Sequence, residues 1–173
     1  IPNFQKFYFS FKKKFLYDNP EFVGWGMTTH SIPPWRDQIN SPFLKRFDKV
    51  EKNLRNKIIN KEFNIQIWNK SDDKMLIMDT LKWRHYIICW AVNNIINKKQ
   101  NKSFNFVECG VGSGVSAFFA LSFLKEYNFN AYLFDSWDKL DENLLTDFEK
   151  KEMDWYDYLN IEITKKNLIM FKD

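Results

Sequence analysis

The chain has 173 residues, 45% of them hydrophobic, and 26 basic against 22 acidic side chains for a net charge of +4. That suffices for one domain with a real core and falls short of two full ones. The charges are interspersed, which argues against a nucleic-acid partner, and no run reaches the roughly 18 uninterrupted apolar residues of a membrane span.

Residues 1–22, rich in phenylalanine and lysine, read as an irregular or short helical arm, and the Lys12–Lys14 run as a solvated face. In FVGWGMTTHSIPPW, Gly24, Gly26, Pro33 and Pro34 break regular structure and leave Trp25, Met27, His30 and Trp35 in a loop. That loop is either a lid over a ligand or a linker whose aromatics fill the core, and His30 either a base or a hydrogen-bonding residue. Ser41 and Pro42 then start an amphipathic helix to about Asn60, with Phe43, Phe47, Val50, Leu54 and Ile58 on one face. Phe63, Ile65 and Ile67 alternate with polar residues and predict a short strand or extended segment, closed by the charged cluster Lys70–Lys74.

A second helix is expected from Asp79 to about Asn97, with Leu81, Ile88, Val92 and Ile95 on one stripe. Being apolar nearly all round, it should be buried on two sides. Arg84 and His85 within it serve either a ligand pocket or an ion pair or cap in the helical layer. The division expected is a helical and loop cap region over 1–78 and the first half of a ligand-binding α/β domain over 79–173.

The most informative stretch is FNFVECGVGSGVS, residues 104–116. It reads as a strand ending on Glu108, a turn with Gly110, Gly112 and Gly114, and a helix from Ser116 to Tyr127 whose Ala117, Ala120, Leu121 and Leu124 face the sheet. From Gly110 the dinucleotide fingerprint would place a glycine at Val115; from Gly112, the form ending in alanine is met by Gly114 and Ala117. Glu108 suits a ligand carrying an amine or hydroxyls better than a bare pyrophosphate. A second strand, Ala131 to Phe134, ends on Asp135, about twenty residues past the last glycine, where a strand-end carboxylate reaches a ribose diol. Turn and acid together form a βαβ half-site. The scattered acids from Asp138 to Asp154 read as a solvated surface, and Asn160 caps a last helix, Ile161 to Phe171.

Cys89 and Cys109 make neither a disulfide ladder nor a metal-ligand spacing, so a reducing, cytoplasmic setting is expected. The start at Ile1 and the stop at Asp173, just after a helical pattern, read as the ends of a piece of a longer protein.

With VECGVGSG and FDSW both in place, the chain resembles class I S-adenosylmethionine-dependent methyltransferases. More narrowly it is similar to the macrocin O-methyltransferase group, with its "fVEcGV" strand and "fDSf" strand end; where that group carries tryptophan and arginine after "GV", Gly112 and Ser113 stand here. The resemblance implies an α/β fold, a Rossmann-like three-layer architecture with a mostly parallel sheet of which this chain holds the first part, beneath an N-terminal helical cap. It implies that Glu108, Gly110, Gly112 and Gly114 shape the pocket for the methionine end of S-adenosylmethionine and that Ser116 binds its carboxylate. Asp135 would take the ribose hydroxyls, with Ser136 and Trp137 beside the adenine, and Met27 and Thr28 match an upstream "MT" segment. The implied activity is O-methylation of a small-molecule hydroxyl, such as a sugar's. A magnesium ion would be held by aspartates beyond Asp173, so no catalytic or metal residue is named; a homo-oligomer is compatible with all of this. The rivals are an NAD- or nucleotide-sugar-binding enzyme and a non-catalytic RNA- or protein-binding module that retains the fold.

Overall fold

The computed structural model describes residues 41–65, 78, 81–98, 103–138, 141–150 and 159–172. The expected arm, the loop with Met27, Thr28 and His30, and the cluster Lys70–Lys74 lie outside them.

Helix α1 spans Pro42–Ile59, and its start is local chemistry: Ser41 Oγ accepts the Leu44 N–H at 3.1 Å while proline fills the first turn. Phe47, Leu54 and Ile58 are buried along the predicted face. Glu51 is buried there too. Its carboxylate is neutralised by Arg55 at 2.8 Å and by Lys82 at 2.7 Å, and the second contact ties α1 to helix α2, Lys82–Lys98.

The structure narrows one expectation for this region and corrects another. Phe63 and Ile65 are buried as their alternation requires, and of the two forms expected the described residues 63–65 are not a strand; Ile67 lies outside the described residues. The side-chain amide of Asn167 takes the place of a neighbouring strand, accepting the Asn64 N–H at 2.8 Å and donating to the Asn64 carbonyl at 2.9 Å. Helix α2 is buried on one side only. His85, Tyr86, Cys89 and Ile96 face inward, whereas Trp90 and Ile95, the latter expected on the buried stripe, are each 49% exposed. A helix that is apolar on every face carries no period to say which face its neighbours will take.

Strand β1 (Phe104–Cys109), helix α3 (Val115–Leu124) and strand β2 (Phe129–Phe134) form a βαβ unit. The strands pair in parallel from Phe104↔Phe129 to Cys109↔Phe134. The helix is shorter than expected at its far end: residues after Leu124 tighten into a turn, with the Tyr127 N–H on the Leu124 carbonyl at 2.7 Å, and β2 begins two residues before Ala131.

Every residue from Ala117 to Leu124 is buried because α3 lies between the sheet and the α1–α2 layer. Leu121 and Leu124 pack with Phe104 on the sheet side. On the other side Phe119 stacks between Phe47 (ring centroids 5.5 Å apart) and His85 (4.5 Å). Each such phenylalanine contributes about 1.5–3 kcal/mol by leaving water. On the opposite face of the sheet Val107, Tyr132 and Phe134 are about half exposed or more.

A 3₁₀ turn (Glu142–Leu144), the short helix α4 (Asp147–Lys150) and helix α5 (Ile161–Leu168) follow, the last continued by a 3₁₀ turn, Ile169–Phe171. Asn160 caps α5 as expected, its Oδ1 accepting the Glu162 N–H at 2.8 Å. Among the described residues no helix is long and apolar enough to cross a membrane. The described chain is thus mixed α/β, with a two-stranded parallel sheet and helices packed on one face.

Candidate functional site

Parallel pairing in this register brings the C-terminal ends of β1 and β2 side by side, which places Glu108, the glycine turn and Asp135 together. The Gly110 N–H extends the ladder to the Phe134 carbonyl at 2.8 Å before the chain turns away. A Cβ placed on Gly110 would meet nothing within 4 Å, so a ligand can approach the main chain there. Gly114 is constrained on the other side. It caps α3 with φ +85, and a Cβ on it would lie 3.0 Å from Leu168 of α5. Among the described residues no side chain caps this helix, whose first turn holds half-buried Ser116.

The two strand-end carboxylates are in different states. Asp135 is occupied: Oδ2 accepts the Gly112 N–H at 2.7 Å and Oδ1 the Trp137 N–H at 3.0 Å. Each oxygen keeps a further lone pair for a ligand hydroxyl. Glu108 has a buried Oε2 with no hydrogen-bond partner among the described residues. Burial, and then the nearby charge of Asp135, push its carboxyl up to about 7.

Trp137 adopts φ +46, in the left-handed region that a bulky residue rarely visits. It is held there by its bond to Asp135 and by its indole N–H, which reaches Thr164 Oγ1 at 3.0 Å and the Gly112 carbonyl at 3.2 Å. Ser136 is exposed beside it. Met27 and Thr28 lie outside the described residues.

His85 is not at the strand ends, and among the described residues it makes no ion pair. It is a buried core ring stacked on Phe119, and desolvation lowers it to about 3, so it stays neutral. Cys89 is likewise a core residue whose thiol burial pushes up. Among the described residues no group of three or more His, Cys, Asp or Glu is placed to hold a metal ion. Asp154 of the acidic stretch lies outside them.

Two residues at the turn escape sequence reasoning. Thr164 Oγ1 donates to the Gly112 carbonyl at 2.6 Å, and Asn167 Nδ2 donates to the Ser113 carbonyl at 2.8 Å. The available signal is faint: Thr164, Asn167, Leu168 and Phe171 share one stripe of the last helix, and two of the four are polar where a core-facing stripe should be apolar.

Compared with family models, with curated proteins and with solved structures, the chain matches none.

Proposed function

We propose that the chain is the donor-binding part of a class I S-adenosylmethionine-dependent methyltransferase with a Rossmann-like, three-layer architecture, working in the cytoplasm on a small-molecule hydroxyl. The observation that carries the reading is the unequal pair of carboxylates beside an open glycine turn. Glu108 presents an unpartnered oxygen, and Asp135 an oxygen pair already oriented by backbone N–H groups. A ligand with an ammonium at one end and a ribose diol further along meets both needs. A pyrophosphate at the turn would meet the Glu108 carboxylate with like charge, which disfavours a dinucleotide.

S-adenosylmethionine would supply a methyl group on a sulfonium centre, open to in-line displacement by an acceptor oxygen. The residues of this chain bind and orient. Glu108 would hold the ammonium and Ser116, in the uncapped first turn of α3, the carboxylate. Asp135 would accept from the ribose hydroxyls, and Ser136 and Trp137 would flank the adenine. The indole N–H of Trp137 is engaged, so its ring is what it would offer.

Isothermal titration calorimetry with S-adenosylhomocysteine and with NAD tests the reading. Micromolar affinity for the first and none for the second is expected. Binding of NAD without binding of S-adenosylhomocysteine would sink it.

A further inference from the structure

We propose that residues 32–40, the nine that precede Ser41, pack over the outer stripe of helix α2. The inference is independent of the donor-binding reading above. Helix α2 turns His85, Tyr86, Cys89 and Ile96 to the core, yet its other side is apolar too. Ile87 is 38% exposed, Trp90 and Ile95 are 49% exposed, and exposed Ala91 lies between them. Spacings of three and four put these four residues on one side of the helix. Asn94 shares that side, and its amide turns back on the Trp90 carbonyl at 2.9 Å, so it makes little demand for a polar partner. The stripe is of the kind that a helix buries against a neighbour.

Where the chain enters α1 points to the segment that covers it. Phe43, in the first turn of α1, lies edge-on to Tyr86 with ring centroids 5.0 Å apart. Tyr86 and Trp90 are one turn apart on α2, so Ser41 is delivered to the Trp90 flank of the stripe. Nine residues reach up to about 30 Å when extended. The 17 residues of α2 rise about 25 Å, so residues 32–40 can run the length of the helix. Their apolar members, Ile32, Trp35 and Ile39, recur at spacings of three and four, as those of the stripe do. Charge favours this segment over a second copy of α2. The helix carries Lys82, Arg84 and Lys98 and no acid, so two copies would meet with like charge, whereas Arg36 and Asp37 leave residues 32–40 neutral. A dimer would also need about 800 Å² from each partner, more than four side chains of one helix present. Trp35 then fills the helical layer, which is the linker role of the two weighed for its loop.

Photo-crosslinking in the full chain tests the proposal, with p-benzoylphenylalanine in place of Trp90. A second protein with the probe in place of Ile95 repeats the measurement if the first does not fold. Mass mapping after irradiation should find attachment, within one chain, to a peptide containing residues 32–40. Attachment to a second copy, attachment elsewhere in the chain, or no attachment overturns the proposal. In denaturant melts Trp35→Ala and Trp90→Ala should each lower the midpoint. The double variant should shift it by less than the sum of the two, because both remove the same contact, and additive shifts overturn the proposal as well.

Discussion

The ends of β1 and β2 lie side by side, and each carries an acid, yet the two are opposite in kind. At the end of β2, Asp135 is bound to two backbone N–H groups and acts as part of the scaffold. At the end of β1, Glu108 is partly withdrawn from water with one oxygen unmatched, and its carboxyl is raised to about 7. Burying a charge without a partner is unfavourable, and the carboxyl responds by holding its proton to a higher pH. The difference is one of environment: the β2 end braces the turn through Asp135, and the β1 end holds a carboxyl that burial and the Asp135 charge keep protonated to a higher pH.

The largest expected effect comes from disturbing the turn that both acids flank. Gly114→Ala forces a side chain into the left-handed region and against Leu168, and should destabilise the chain by about 3 kcal/mol in chemical denaturation. An unchanged midpoint would show that α5 does not lie against the turn.

Next comes the β1 end. Between the ordinary carboxylate value of 4.5 and about 7, the folded chain retains a proton on Glu108 that the unfolded chain has released. The associated stability is fully present below 4.5 and is lost as the pH rises through about 7. Glu108→Gln should remove that decline and be about 2 kcal/mol more stable than the parent at pH 8, after allowance for screening at a partly exposed position. Equal pH dependence of the two proteins in denaturant melts would place Glu108 in ordinary solvent. The same variant should lose affinity for S-adenosylhomocysteine, whereas the parent's affinity should rise between pH 6 and 7.5 as the carboxylate forms.

Removing the charge at the β2 end should act less strongly on stability and reach across to its neighbour. Asp135→Asn weakens charge-assisted bonds to Gly112 and Trp137, by about 1.5 kcal/mol in all. It should also bring the Glu108 titration, followed by carboxyl carbon NMR, down from about 7, since the Asp135 charge is one of the two causes of the shift. A titration left in place would mean that burial alone sets it. The smallest effect is expected at Ser136, which is exposed: Ser136→Ala should stay within about 0.5 kcal/mol of the parent in thermal unfolding.

Much of this arrangement follows from local rules that need no partner. Ser41 with Pro42, and Asn160, mark helix starts because a cap satisfies the helix's own orphan N–H groups. The order strand, glycine turn, helix, strand is written in the residues 104–134, and parallel pairing of the two strands then brings Glu108 and Asp135 to one end. The rest depended on contacts between distant segments. Which face of α2 turns inward was undetermined by a helix apolar all round, and Asn64 takes a side-chain partner 103 residues away in place of a strand. His85 became a neutral core ring because Phe119 and the surrounding layer exclude water from it. The sequence by itself determined that two acids flank a glycine turn, since their spacing and the strand pattern are local. Only the tertiary structure decided that both Asp135 oxygens accept backbone N–H groups, that Glu108 Oε2 has no partner among the described residues, and that Thr164 and Asn167 hold the turn, because hydrogen bonds and desolvation depend on what packs against each group.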